Sequence, residues 1–235
     1  MILPVSESST APVVFPLDRT VLAGLTPERR FFGRNVSKAD VSVYTLGGRR
    51  IAVKDYGARP FLVRNTLGRL LVRRECRAYR HAGGVPGIAP FLGPVGPFAL
   101  ATAWVDAEPL ADLPDGKAPA AIFEQLDAVI AGLHARGVAI ADLHHRDVLL
   151  GAGDAVHVVD FAAAFVLGSR PGAFRRRVFA RLATQDRLAA ARMRARYTGV
   201  AEEQALAGID PTAVRLWGVG RRIKAFWDRL RGKRD

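Results

Sequence analysis

The sequence predicts an α+β fold in which a β-rich first half is followed by a mainly helical second half. Residues 41–56 alternate apolar and polar side chains on both sides of a Gly-Gly pair, which is typical of a β-hairpin. Residues 61–81 and 120–136 instead place their apolar side chains at helical spacing. Beyond Gly172 the chain is basic, and its pattern is again mostly helical.

Composition favours a globular protein of a reducing compartment. The chain has 235 residues, of which 49% are hydrophobic, and this is enough for a buried core. Its one cysteine, Cys76, cannot form an intramolecular disulfide, which is typical of a cytoplasmic protein. The N-terminus lacks the pattern of a signal peptide, and no apolar run reaches the roughly 18 residues that span a bilayer. We therefore expect neither export nor a membrane span.

The charge of the chain is strongly positive and unevenly placed. The net charge is +13, and residues 171–235 contribute +10 of it, with 16 Lys and Arg against 6 Asp and Glu. Such a segment favours phosphate, nucleic acid or an anionic membrane as a partner. Nucleic acid is not the expected partner, because the segment lacks a basic platform studded with aromatic side chains. Only 5 of the 35 basic residues are Lys, which together with many Ala and Gly indicates a GC-rich bacterial genome.

The first half contains a hairpin, one helix and two further strands. Residues 1–25 show little periodicity and several prolines, so we expect them to be irregular. The hairpin puts Lys54 in its second strand, and the helix that follows carries Glu75. Short apolar segments at 91–92 and 98–105 predict the remaining strands of a small sheet.

The second half begins with a helix over Ala120–Arg136, whose apolar residues recur every three or four positions until Gly137 ends the pattern. Val148–Leu150 and Val156–Val159 predict a second hairpin. We expect a break in the basic helical remainder at 208–211, where Gly and Pro occur.

Three aspartates around the second hairpin are the strongest chemical signal. Asp142 and Asp147 precede the hairpin in the segment Asp-Leu-His-His-Arg-Asp, and Asp160 follows it in Val-Val-Asp-Phe. ATP-dependent phosphoryl transfer needs one carboxylate that orients the attacking hydroxyl and others that hold magnesium against the phosphates. The three aspartates therefore predict a phosphotransferase site.

The order of these motifs resembles the protein-kinase-like superfamily from about residue 35 to 165. A strand lysine, a helix glutamate, the paired aspartates, a hairpin and an Asp-Phe pair follow one another as in that superfamily. Ile140, Asp147 and Ala162 depart from its usual His, Asn and Gly. His144, two residues after Asp142, is similar to the Asp-Leu-His loop of antibiotic, choline and lipopolysaccharide kinases.

Two further features favour an atypical bacterial member of the superfamily. Residues 36–44 stand in place of a glycine-rich loop, and they resemble the phosphate loop of Rio kinases. Only 75 residues follow Asp160, and no Ala-Pro-Glu motif occurs among them, so the usual peptide-docking elements cannot all be present. The nearest resemblance is to Rio kinases and to lipopolysaccharide-core (Kdo/heptose) kinases.

The resemblance implies roles for individual residues. Asp142 would act on the hydroxyl, and Lys54 would bind the α and β phosphates of ATP. Asp147 and Asp160 would hold Mg²⁺. The other residues that would bind ATP are Glu75, Ser37, Lys38, and, through backbone hydrogen bonds to adenine, Ala103 and Val105.

Two assignments have competing interpretations. Glu75 could instead form an ordinary surface ion pair with one of three neighbouring arginines, Arg73, Arg74 and Arg77. The pair His144-His145 suggests a metal site, but adjacent histidines point in different directions and no third ligand is spaced for them. We therefore do not expect zinc.

The fold that the resemblance implies is a two-lobed, protein-kinase-like fold with a small antiparallel N-lobe, a reduced helical C-lobe and ATP between the lobes. The expected divisions are a lead-in (1–25), the N-lobe (26–106), the C-lobe with the catalytic and metal-binding loops (107–211) and a basic amphipathic helix (212–235). That last helix could lie on an anionic membrane or pack on the kinase core.

The predicted function is ATP- and magnesium-dependent transfer of the γ-phosphoryl group to a hydroxyl. The acceptor stays open between a protein Ser or Thr, as for Rio-like kinases, and a sugar of a membrane glycolipid such as lipopolysaccharide core. Because several motifs are altered, the alternative is a pseudokinase that serves as a nucleotide-binding or membrane-associated regulatory module. The expected location is the cytoplasm, with peripheral contact at the inner face of the bacterial membrane.

Overall fold

A computed structural model describes residues 17–33 and 38–209 and divides the chain into two compact units. The first contains the described residues of Met1–Gly84 together with Ile88–Asp106 and Asp160–Ala162. The second contains Val85–Gly87, Ala107–Val159 and the described residues from Ala163 onward. The predicted division at 106/107 differs from these units at two short segments, 85–87 and 160–162.

The first unit is built on a five-stranded antiparallel sheet with the strand order β1-β2-β3-β5-β4. Residues 19–23 of the predicted irregular lead-in form a short helix, because Leu17 and Leu22 pack on the core that the sheet residues Ile51 and Val53 form. The elements of the sheet and this helix are α1 (Arg19–Ala23), β1 (Arg29–Phe31), β2 (Asp40–Leu46), β3 (Arg49–Asp55), β4 (Phe91–Pro94) and β5 (Ala99–Ala103).

The hairpin prediction is confirmed by β2 and β3. Gly47 and Gly48 connect them, with φ values of 55° and 73°. A two-residue turn of this kind requires positive φ at both positions, which glycine adopts without steric cost. The register pairs Val41 with Lys54, so Lys54 lies one residue from the end of β3.

The predicted helix after the hairpin is also present, as α2 (Phe61–Val63), a π-helical turn (Arg64–Gly68) and α3 (Arg69–Ala82) in direct succession. The sequence did not predict the π-helical turn. Gly68 closes it against Tyr56, since a β-carbon at residue 68 would lie 3.0 Å from Cβ of Tyr56. The remaining helix buries one face and holds Glu75 on it.

The second unit packs helices with two small sheets. Helix α4 buries Ile122, Leu126, Ile130 and Leu133, as predicted, and Gly137 with φ of 69° follows its end. The small sheets have the orders β6-β8-β9, which includes the predicted second hairpin, and β10-β7. Their elements are β6 (Ala107–Pro109), α4 (Ala120–Ala135), β7 (Val138–Ala139), β8 (Val148–Gly151), β9 (Val156–Val158) and β10 (Phe165–Val166).

The basic remainder forms α5 (Ala173–Thr198) and α6 (Glu202–Ala205). The long helix ends ten residues before the predicted break, because Gly199 takes φ of 75° and its N–H closes the last turn on Ala195. Gly208 also has positive φ, while residues 210–211 of the predicted break and the predicted helix 212–235 lie outside the described residues. No helix within residues 17–33 and 38–209 is long and apolar enough to cross a membrane.

Candidate functional site

Two carboxylates of the first unit, those of Glu75 and Asp160, meet at the ammonium group of Lys54. The ammonium Nζ lies 3.0 Å from Oε1 and 2.9 Å from Oε2 of Glu75, and 2.8 Å from Oδ1 of Asp160. Lys54 comes from β3, Glu75 from α3, and Asp160 follows β9 in the chain. The fold therefore brings together three residues that the sequence separates by 21 and 106 positions.

Because the cluster is buried, the charge of each side chain strongly affects the pKa of the others. Glu75 is 1% exposed, so the alternative that it forms a surface ion pair with neighbouring arginines is wrong. Burial raises the pKa of Glu75, and the adjacent Lys54 opposes that effect. Burial acts to lower the pKa of Lys54, but Glu75 and Asp160 outweigh it and the net shift is upward. The ammonium therefore stays protonated at neutral pH.

Asp160 is held as an ionised carboxylate in an unusual backbone conformation. Its φ is 67°, a region that aspartate visits more readily than most residues. Its Oδ1 accepts a hydrogen bond from N–H of Ala162 at 3.2 Å, and N–H of Phe161 donates to Oε1 of Glu75 at 3.3 Å. Burial acts to raise the pKa of Asp160, but Lys54, the N–H of Ala162 and the nearby Lys38 together hold it below its usual value.

The predicted phosphate loop is described only in part. Ser37 lies outside the described residues. Lys38 is exposed, and its Nζ lies 3.8 Å from Oδ2 of Asp160. The backbone of Lys38 is fixed, because Nε of Arg59 donates to its carbonyl at 2.8 Å. Lys38 therefore places a second cation beside the carboxylate that contacts Lys54.

The two residues assigned to adenine differ. N–H of Ala103 donates to the carbonyl of Pro90 at 2.9 Å, so this donor is not available to a ligand. Val105 is half-buried, and its N–H has no hydrogen-bond partner among the described residues. Val105 alone of the pair thus keeps the backbone donor that the prediction requires.

Asp142 and Asp147 belong to the second unit, in the loop between β7 and β8. The side chain of Asp142 is 65% exposed, and Nε2 of His144 lies 3.2 Å from its Oδ1. Asp147 closes the loop on itself: its N–H donates to the carbonyl of His144 at 2.9 Å, and its Oδ2 accepts from N–H of His144 at 3.2 Å. The loop therefore has a fixed backbone and presents an open carboxylate.

Asp186 on α5, a residue that the motifs did not predict, anchors this loop. It is 1% exposed, and its carboxylate accepts from N–H of Ile140 and from N–H of Ala141, each at 2.8 Å. Nε2 of His134 lies 2.9 Å from the same carboxylate. Ala141 has φ of 69°, a strained value for alanine, and the hydrogen bond that its N–H donates to Asp186 holds it there. Asp186 is thus a positioning residue for Asp142.

A cavity of about 470 Å³ lies beside Asp142 within the second unit. Its cationic side chains come from α5, and Arg196 also donates through Nε to Asp115 at 2.8 Å. Burial and the nearby Arg196 lower the pKa of His145. Arg192 and Arg196 bring guanidinium charges to the cavity wall. The residues that line it with polar side chains are Asp142, His144, His145, Gln185, Asp186, Arg192, Arg196 and Tyr197.

Metal-ligating side chains are sparse. The described residues contain no group of three or more His, Cys, Asp or Glu that could hold a metal ion by itself. His145 contacts the hydroxyl of Tyr197, and His144 contacts Asp142. The two predicted magnesium ligands, Asp147 and Asp160, belong to different units.

Comparisons with known proteins establish the fold. No protein-family model and no curated protein matches the chain. Among solved structures it is similar to the crystal structure of the Rio2 kinase from Chaetomium thermophilum, with a TM-score of 0.59 and 14% identity. The match covers 88% of this chain and 76% of that chain.

This likeness, together with the five-stranded antiparallel sheet and the helical part, shows a protein-kinase-like fold and confirms the predicted fold class. At 14% identity the likeness shows the fold alone. The relation to lipopolysaccharide kinases, the bacterial origin and the residue roles remain predictions.

Proposed function

We propose that this protein is an ATP- and magnesium-dependent kinase that transfers the γ-phosphoryl group to a hydroxyl. One observation carries the proposal: Nζ of Lys54 lies within 3.0 Å of a buried glutamate and 2.8 Å of Asp160. Placing an ammonium and two carboxylates in a largely buried environment costs desolvation free energy. Such an arrangement is typical of sites where the charges bind a ligand.

The residues of the cluster fit the phosphates and the metal of a nucleotide. Lys54 remains protonated and would bind the α and β phosphates, while Glu75 would orient it. Lys38 and Ser37 would contact the phosphates, and Val105 would donate to adenine. Asp160 remains ionised and would offer oxygen ligands to Mg²⁺. The side chain of Asp147 would supply further oxygen ligands, and hard oxygen donors are what Mg²⁺ prefers. Magnesium, when bound, would neutralise negative charge on the phosphates.

Asp142 would accept or orient the proton of the acceptor hydroxyl. Its carboxylate is exposed on a loop whose backbone Asp186 fixes, which suits a group that must meet an external substrate. A positioned base of this kind contributes about 100- to 10,000-fold to rate.

Two acceptor classes remain proposals. A protein Ser or Thr is supported by the similarity to a Rio2 kinase structure. A sugar hydroxyl of an anionic membrane glycolipid is supported by Arg192 and Arg196 in the cavity beside Asp142, because phosphate groups bind guanidinium well. We place both reactions in the cytoplasm, the second at the inner face of a bacterial membrane.

The test is incubation of the purified protein with radiolabelled ATP and Mg²⁺, with a general protein acceptor or with lipopolysaccharide core. We expect Asp142→Ala to lower transfer at least about 100-fold. The matched control is Asp127→Ala, an exposed aspartate on α4, which should retain wild-type transfer. Label on the glycolipid alone would exclude the protein acceptor, and label on protein alone would exclude the glycolipid.

The pseudokinase alternative has its own outcome. Nucleotide binding that depends on Mg²⁺ and is lost in Asp160→Ala, without transfer to any acceptor, would support a nucleotide-binding regulatory module. Equal, low transfer by wild type, Asp142→Ala and Asp160→Ala, with no nucleotide binding, would overturn the proposed activity.

A further inference from the structure

The outward face of the helical segment Phe61–Ala82 begins with large apolar side chains. Phe61 is 68% exposed, Leu62 73% and Leu70 60%, and Leu67 is exposed beside them. Monomeric soluble proteins seldom cluster so many exposed apolar side chains without an interaction to make. This part of the first unit therefore presents an apolar patch.

The same face continues with arginines and lacks acidic residues. Arg73, Arg74, Arg77 and Arg80 are all exposed. The single acidic residue between positions 61 and 82 is Glu75, which is buried on the opposite face against Lys54. Neither Arg73 nor Arg77 forms an ion pair within residues 17–33 and 38–209. No acidic side chain on this face of the helix therefore neutralises Arg73 or Arg77.

Spacing aligns the two parts into one surface. Leu70, Arg73 and Arg77 are separated by three and four residues within α3, so they follow a common side of that helix. At about 1.5 Å per residue, the stripe from Leu70 to Arg77 is roughly 10 Å long. Its composition, apolar at one end and basic along the rest, is that of helices that lie in a membrane interface.

We propose that this face, formed by Phe61, Leu62, Leu67, Leu70 and the exposed arginines 73, 74, 77 and 80, binds the surface of an anionic phospholipid bilayer. The apolar side chains enter the boundary between headgroups and acyl chains, and the guanidinium groups bind lipid phosphates. This contact is peripheral. It does not depend on the proposed kinase activity, because the face is opposite the side of α3 that bears Glu75.

Charge and chemistry favour a bilayer over a protein partner. A fluid array of phosphates can bind the arginines along the stripe whatever their spacing, and each arginine adds to the attraction toward an anionic surface. An acidic protein would have to match the spacing of all four arginines and cover the apolar end as well. A protein partner is therefore an outcome of the test.

The first measurement is co-sedimentation of the full chain with vesicles of phosphatidylcholine, with and without phosphatidylglycerol. We expect binding only with phosphatidylglycerol, and a loss of about tenfold or more in affinity for Arg73→Glu/Arg77→Glu. Leu62→Ser/Leu70→Ser should also weaken binding, and because both leucines are exposed, its thermal unfolding should match wild type.

The matched control is Arg177→Glu/Arg181→Glu. These two arginines are also four residues apart and exposed on a helix, α5, so the net charge changes equally. We expect less than about a threefold loss for this control. Equal losses for the two arginine pairs would mean that binding follows net charge alone and would overturn the proposal, as would the absence of vesicle binding by wild type.

A second measurement locates the contact directly. Leu62→Cys can be labelled with an environment-sensitive fluorophore, because the native thiol of Cys76 is buried and burial raises its pKa to about 11. We expect a blue shift of the emission when phosphatidylglycerol vesicles are added, and none for Arg181→Cys. A shift at residue 181 but not at residue 62 would place the membrane contact elsewhere. Neither readout uses phosphoryl transfer, so failure here leaves the proposed activity untouched.

Discussion

The side chain of Lys54 is 16% exposed and contacts two carboxylates, whereas that of Asp142 is 65% exposed and its Oδ1 lies 3.2 Å from Nε2 of His144. In the first region, the charged side chains hold one another in place through direct ion pairs. In the second region, Asp186 fixes the main chain of the loop at Ile140 and Ala141, and the side chain of Asp142 stays exposed to solvent.

The difference follows from what each region would bind. A group that holds phosphates gains from low dielectric and preorganised counter-charges, since these strengthen its interaction with the ligand. A group that meets a variable acceptor must stay accessible, so its order has to come from the main chain. Removing a charge should therefore destabilise the first region, whereas in the second region the sensitive residue should be the anchor.

The largest effect is expected for Lys54→Met. The substitution leaves Glu75 as a buried, uncompensated carboxylate, and breaking such a pair typically costs about 3 to 5 kcal/mol in the free energy of unfolding. Urea denaturation measures it. The control Lys54→Met/Glu75→Leu should recover most of the loss. A double variant no more stable than the single one would show that the charges do not hold this region together.

A somewhat smaller loss is expected for Asp186→Asn. The amide keeps one acceptor oxygen but turns an N–H₂ group toward the N–H of either Ile140 or Ala141, which bind different oxygens of Asp186, at a cost of about 3 kcal/mol in unfolding free energy. The matched control is Asp127→Asn, which removes an exposed ion pair with Arg194 and should cost less than about 1 kcal/mol. If urea denaturation shows an equally small loss in the free energy of unfolding for both variants, Asp186 is not the anchor of the loop.

The smallest change in the free energy of unfolding is expected for Asp160→Asn, and this change should depend on pH. Burial acts to raise the pKa of Asp160, but Lys54 and the local hydrogen bonds lower it overall. A carboxylate whose pKa is lowered by folding stabilises the fold above its unfolded pKa, about 3.9, and loses that contribution as pH falls through the folded value.

Wild type should therefore exceed Asp160→Asn by about 2 kcal/mol at neutral pH, and the difference should shrink below about pH 4. Urea denaturation across that range checks it, with the exposed Asp127→Asn as the control substitution. A difference that grows on acidification would mean that Asp160 is not held as a carboxylate by Lys54.

Local chemistry explains what the sequence predicted. The turn at Gly47 and Gly48 was predictable because two consecutive positive φ values require glycine. Helix α4 was predictable because its apolar spacing persists over sixteen residues. The partnership of Lys54 with Glu75 came from the order of motifs, since no local rule connects residues on a strand and a helix 21 positions apart.

What the sequence did not predict depends on distant contacts. Asp186 accepts hydrogen bonds from the main-chain N–H groups of Ile140 and Ala141, and every residue type except proline has such a group, so the sequence around residue 140 does not indicate the contact. A signal did exist: on α5, positions 183, 186, 190, 193 and 197 are all buried and spaced three or four apart. An acid among Ala, Met and Tyr on such a face needs buried donors. Gly199 was also a recognisable helix end, but the prediction placed the break at Gly208, where a proline follows closely.

The bonds from Asp186 reach amides 46 and 45 residues earlier in the chain. During synthesis, the strands, Lys54, Glu75 and Asp160 all emerge before α5 is complete. We expect Ala141 to avoid its left-handed conformation until Asp186 arrives, because that conformation costs alanine about 1 kcal/mol or more. The loop that carries Asp142 would then become ordered last, so a nascent or truncated chain could form the cluster of Lys54, Glu75 and Asp160 before the main chain around Asp142 is fixed.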